Sequence, residues 1–284
     1  MSCEGCPSKG NCSKNPESCG LQPNPANHIK AIVPIMSGKG GVGKSTVTVM
    51  LARALAAMGK SVGIMDADVT GPSIPRLFDL QDEQAYANAE NFVLPVETSD
   101  HIKTMSLNYM MANEGDPVVW RGPIVSNMLK QFYTDVIWGD LDVLLIDMPP
   151  GTGDTALTIL QELPVTGVVM VTTPQPMVSM IVTKAVRMCK KMNIPVLGMV
   201  ENMAYMNCPH CNERINFYST DENGKFVGME GLEEVKMYAM LPTDDLLRRT
   251  NDFDTFTIAQ MDEVKALFVE FAKELCEDLE KLEK

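Results

Sequence analysis

Hydrophobic positions follow two alternating rhythms along most of the chain. Short unbroken runs such as "AIVPIM", "SVGIMD", "LDVLLIDM", "TGVVMVTTP" and "PVLGMVEN" predict strands buried on both faces. Between them, "VTVMLARALAAMG" and "VTKAVRMCKKM" repeat apolar residues at helical spacing. Strands alternating with helices predict an α/β fold, a mostly parallel sheet flanked by helices. Near the end, Val264, Leu267, Phe268, Phe271, Leu275, Leu279 and Leu282 form one stripe of a helix. From Met261 onward eight Asp or Glu stand against four Lys, so this predicts a docking helix and not a membrane-surface one.

The first 28 residues break the rhythm. They are rich in Cys, Pro, Asn, Ser and Gly and carry no hydrophobic period, so the segment 1–28 cannot fold around its own apolar core. It is predicted to be organised by a metal or left as a tail, joined through the proline-bearing "LQPNPANH" to a single domain over 29–284. No internal repeat is visible.

A chain of 284 residues buries a sufficient core without disulfides. A formal net charge of -13 gives no bulk attraction to nucleic acid or anionic lipid, and neither is expected as a partner. The start lacks a basic segment followed by an apolar one, and no apolar run approaches the roughly 18 residues of a membrane span, which predicts a cytoplasmic protein. The 22 methionines sit mostly in periodic apolar segments and are expected to fill the core. Cys189 and Cys276 lie in helical patterns and are expected to be packed, chemically idle thiols.

Chemistry concentrates in "GKGGVGKS", Gly38 to Ser45, which satisfies G-x-x-x-x-G-K-[ST] between a predicted strand and a predicted helix. Gly40, Gly41 and Gly43 let backbone amides turn inward around phosphates, and the helix start adds its positive end. Lys44 would neutralise the β- and γ-phosphates, and the Ser45 hydroxyl would ligate Mg²⁺. Lys39 is additional to the ordinary pattern. Asp66, Asp68 and Asp147 end predicted strands, where open α/β sheets bind ligands. Asp147 is expected to hold Mg²⁺ through water. Asp68 is expected to orient or deprotonate the attacking water, with Asp66 as its alternative. No guanine-specifying N-K-x-D occurs, which favours ATP.

Two groups of thiols remain. Cys208 and Cys211 form a C-x2-C pair in "NCPHCNERINFY", the spacing of a zinc knuckle or of half an iron-sulfur site. A structural zinc site takes four ligands from one chain, and His210, inside the pair, is poorly placed to join both neighbours. Cys3, Cys6 and Cys12, with Cys19 following, could wrap a 4Fe-4S cluster or a zinc ion, binding itself supplying the folding energy.

Together "SGKGGVGKST", "DADVTGPSIPRLF", "VVWRGP", "WGDLDVLLIDMPPGTGD" and "VENMAYMNCPHC" resemble the Mrp family of cytosolic iron-sulfur cluster carrier ATPases, from about Lys30 to Arg249. The resemblance implies a deviant-Walker P-loop NTPase fold of the MinD/ParA kind, working as a homodimer with its nucleotides facing each other. It implies that Lys39 reaches the partner's nucleotide and that Asn202 matches a position that contacts adenine. Cys208 and Cys211 then match a pair that bridges one labile 4Fe-4S cluster between two subunits. The nucleotide-contacting set becomes Gly38, Lys39, Gly40, Gly41, Val42, Gly43, Lys44, Ser45, Thr46, Asp66 and Asn202. Catalytic roles fall to Lys39, Lys44, Asp68 and Asp147. The first cysteines resemble the N-terminal cluster segment of longer members, except that the cysteine preceding Cys3 there is missing here, with Cys19 available instead.

The implied function is slow ATP hydrolysis gating transfer of a 4Fe-4S cluster to apo-proteins. The alternatives are a zinc-binding structural ATPase or metal chaperone, and a positioning ATPase of the ParA or MinD kind.

Overall fold

A computed structural model of the chain describes residues 21, 23–69, 71–111, 122–217, 232, 234–243 and 263–282. Cys3, Cys6, Cys12 and Cys19 lie outside the described residues.

The strands follow the apolar runs. In chain order the elements are β1 (His28–Ser37), α1 (Lys44–Ala57), β2 (Val62–Asp66), α2 (Ile74–Leu77), β3 (Val96–Glu97), β4 (Lys103–Met105), α3 (Gly122–Thr134), β5 (Asp140–Asp147), α4 (Asp154–Glu162), β6 (Val168–Thr172), α5 (Pro176–Lys191), β7 (Val196–Asn207), β8 (Arg214–Asn216), β9 (Met237–Pro242) and α6 (Glu263–Leu282). They build one sheet in the order β3-β4-β2-β5-β1-β6-β7-β8, with β9 also paired to β7. All pairings are parallel except β3 with β4 and β7 with β8.

Full burial explains the uninterrupted runs. Every residue of β2 and β6 is buried, as is β1 from Ala31 to Ser37, because helices cover both faces. β1 lies between β5 and β6, and its register aligns Ile35 with Asp147, while Asp66 of β2 also pairs with Asp147. The loop after β1 and the ends of β2 and β5 therefore meet at the carboxyl edge of the sheet, where such folds bind ligands.

Helix α1 is buried from Val47 to Leu55 and is covered by α6. That docking uses the stripe expected from sequence: Val264, Phe268, Phe271, Leu275 and Leu279 are buried, while Leu282 at the helix end is exposed. Lys236, just before β9, secures α6 by pairing with Glu274 at 2.8 Å and Asp278 at 2.7 Å. Tyr238 donates to Asp278 at 2.9 Å. These partners hold the Asp278 carboxyl down at about 2 despite its partial burial.

Many methionines, Met36, Met50, Met65 and Met170 among them, are fully buried in the core. Cys189 is buried among apolar side chains, which pushes its thiol up to about 11, and Cys276 is half-buried and also raised. Among the described residues no helix is long and apolar enough to cross a membrane.

Candidate nucleotide and thiol site

The turn from β1 into α1 is made possible by its glycines. Gly41 and Gly43 have φ of 79° and 78°, the left-handed region that side chains rarely adopt. A Cβ on Gly43 would also meet Asn202 Nδ2, so a side chain there would displace Asn202 as well as strain the backbone. Gly38 has a further reason, since its Cβ would meet the Val182 backbone of α5 at 2.9 Å. Ser37 closes the loop's entrance by donating to the Lys39 carbonyl at 3.1 Å, and the Ser37 carbonyl accepts from the Gly151 amide at 2.8 Å.

Inside the loop, polar groups converge on one carboxylate. Lys44 Nζ lies 2.6 Å from Asp147 Oδ1, Ser45 Oγ donates to Asp147 Oδ2 at 2.6 Å, and Thr48 Oγ1 donates to Asp147 Oδ1 at 3.0 Å. Lys44 and Asp147 are both buried. The residues expected to serve phosphate and Mg²⁺ are thus brought together. The lysine contacts the aspartate directly, so delivery of Lys44 to a phosphate requires its ammonium to turn away from Asp147. Thr48 was not singled out from sequence. Its signal was a hydroxyl one helical turn beyond Lys44 in an otherwise apolar stretch.

The two remaining aspartates occupy different environments. Asp66 is buried and accepts from the Asp68 amide at 3.2 Å, the Ile74 amide at 3.4 Å and the Ser106 hydroxyl at 3.1 Å. Burial first, and the nearby Asp147 charge second, push its carboxyl up to about 8. Asp66 thereby fastens the loop that carries Asp68. Asp68 itself is half-buried at the start of that loop, two residues past the end of β2. Lys39 is exposed, Val42 is buried, and Thr46 is half-buried on the first turn of α1.

Asn202 lies on β7 against the phosphate loop. Its Nδ2 donates to the Val42 carbonyl at 2.9 Å, and its Oδ1 accepts from the Met203 amide at 3.0 Å. The preceding residue, Glu201, was missed from sequence although it stands in the same "VENM". It is buried, its Oε1 has no hydrogen-bond partner among the described residues, and burial pushes its carboxyl up to about 7.

Farther along β7 come the thiols. Cys208 is half-buried and Cys211 exposed, in a turn closed by the Cys208 amide donating to the Glu213 carbonyl at 2.9 Å. The Asn212 amide returns to the Cys208 carbonyl at 2.8 Å, with Asn212 at a φ of 58°. Backbone amides of His210 and Cys211, and then the Cys211 thiol, hold the Cys208 thiol below its ordinary range. Such a thiol is readily presented as the thiolate that metals and clusters require. Among the described residues, no group of three or more His, Cys, Asp or Glu is gathered as a metal site.

A glycine loop between a central parallel strand and a helix, with Lys44, Ser45 and Asp147 converging inside it, defines a P-loop NTPase. Residues 28–276 match the family model ParA, described as NUBPL iron-transfer P-loop NTPase, and the chain belongs to that family. A relative from Methanocaldococcus jannaschii, named iron-sulfur cluster carrier protein, is 42% identical over 255 residues, covering 88% of this chain and 87% of its own length. Among solved structures, a nucleotide-binding protein from Archaeoglobus fulgidus in complex with ADP superposes with a TM-score of 0.68 at 39% identity, over 82% of this chain and 90% of that one. The cell-division ATPase MinD of Pyrococcus furiosus shares the fold, with a TM-score of 0.59 at 21% identity, over 86% of this chain and 98% of its own.

Proposed function

We propose that the protein is an ATP-dependent carrier that holds a labile 4Fe-4S cluster as cargo and passes it to apo-proteins in the cytoplasm. The observation that carries this reading is the exposed Cys208–Cys211 turn with its thiolate-favouring amides, set on the phosphate-loop scaffold of an iron-transfer family. The carrier name of the archaeal relative supports it.

The chemistry divides among named residues. Amides of Gly38 to Ser45 would cradle the phosphates of ATP, Lys44 would leave Asp147 for the β- and γ-phosphates, and Ser45 with Asp147 would hold the accompanying Mg²⁺, which would neutralise phosphate charge. Asp68 positions the attacking water, Asp66 being committed to backbone amides and Ser106. Lys39, exposed on the loop, would serve the nucleotide of a second copy of the chain.

Two thiols are half of what a four-iron cluster takes, so a homodimer supplies the set from two turns. The N-terminal Cys3, Cys6, Cys12 and Cys19 would form a separate cluster site. Zinc at the C-x2-C pair, the alternative reading, would likewise need ligands beyond Cys208 and Cys211.

Transfer to apo-aconitase, followed by the return of aconitase activity, tests the reading. Cluster-loaded wild type is expected to transfer faster with Mg-ATP, while Lys44→Ala hydrolyses ATP about 100-fold or more slowly and shows no ATP response. Equal, ATP-responsive delivery by Lys44→Ala would overturn the coupling.

A further inference from the structure

Strand β7 changes character midway. From Val196 to Glu201 it runs parallel between β6 and β9, and from Tyr205 to Asn207 it pairs antiparallel with β8. Between these stretches, Glu201 to Tyr205 on β7 faces only Met240 to Pro242 on β9, a bulge that adds residues to one strand. Met203 within it has a φ of 54°, a left-handed conformation for a non-glycine residue.

From the far end of the bulge onward, packing is separate from the main core. Ala204 and Tyr205, at the far end of the bulge, form a small cluster with Met240, and the Arg214 guanidinium lies 3.8 Å from the Tyr205 ring centroid. This arm ends in the Cys208–Cys211 turn, six residues past Asn202 and at most roughly 20 Å away along the strand.

Asn202 is where the bulge meets the phosphate loop. Amides of such a loop turn inward toward phosphate, so its carbonyls face outward, and Asn202 Nδ2 grips one of them, Val42 O, at 2.9 Å. The same side chain caps the bulge by accepting the Met203 amide. The approach is tight enough that a Cβ on Gly43 would push Asn202 out of this place.

We propose that Asn202 is a positioning residue that transmits the conformation of the phosphate loop, through the β7 bulge, to the Cys208–Cys211 turn. The inference rests on the carrier reading and gives it a physical link between nucleotide and cargo. Phosphate contacts that shift Val42 pull on Asn202 and re-aim the strand at Met203, changing how the two thiols are presented. A bistable element biased at both ends is what coupling between two sites requires.

The test uses the full-length protein, cluster-free and reduced, pulse-alkylated with iodoacetamide and read cysteine by cysteine by peptide mass spectrometry. Wild type is expected to change its rate at Cys208 and Cys211 by about fivefold or more between nucleotide-free and Mg-ATPγS-saturated protein. In Asn202→Ala at saturating nucleotide, the change falls below about twofold, with Cys189 and Cys276 unaltered in both proteins. A merely structural defect would instead expose Cys189, and Asn202→Ser then takes the variant's place. An unchanged response in the variant overturns the role of Asn202 and leaves cluster carriage standing. Absence of any response in wild type, checked by unchanged hydrogen–deuterium exchange over residues 202–207, overturns the link altogether. Failure of the protein to take up iron and sulfide is a separate result that removes the carrier reading itself.

Discussion

Glu201 is the residue whose cost is least visible from its chemistry. In the unfolded chain it titrates near its ordinary value of 4.5, whereas in the fold burial raises it to about 7. Between those values the folded state holds the extra proton, so stability falls as pH rises from about 4.5 to about 7 and levels off above that. The loss is of order 3 kcal/mol. Glu201→Gln has no proton to lose and is expected to flatten that portion of the curve, measured by urea unfolding across the range. Parallel curves for the two proteins would contradict it. The phosphate loop was legible residue by residue because its spacing is set by phosphate geometry. Thr48, Ser106 and Glu201 were not, because their roles depend on which strand ends the topology brings side by side. For Asn202 the resemblance implied a base contact, and the structure adds a bond to the loop's outer carbonyl that no local pattern encodes.

At the scale of elements, strands buried on both faces announced themselves, as did the amphipathic α6. The pairs β3 and β8, of two and three residues, are too short to carry a period, and their place follows from neighbours distant in sequence. Helix α6 closes the face over α1, and its fully buried Phe268 is expected to matter most there. Phe268→Ala should cost about 3–5 kcal/mol in chemical unfolding. Leu282→Ala, at the exposed end of the same stripe, should stay within about 0.5 kcal/mol. Similar losses for both would mean that α6 does not dock as described. Conversely, Gly43→Ala strains a left-handed backbone and collides with Asn202, and it should abolish nucleotide binding measured by calorimetry.

For the whole molecule, the sheet gathers the glycine loop, Lys44, Ser45 and the strand-end aspartates at the ends of β1, β2 and β5, and places a thiol pair at the end of a strand that touches the same loop. Composition indicated neither; it only disfavoured nucleic acid and anionic membrane as partners. The most direct measurement is the iron, sulfide and zinc content of protein isolated without oxygen, beside Cys208→Ala/Cys211→Ala. Iron and acid-labile sulfide in wild type, with absorbance near ~400 nm that falls in the variant together with its dimer, is the result expected of a cluster shared between two copies. Zinc without sulfide, in iron-replete wild type, would contradict it and make the C-x2-C turn a structural knuckle.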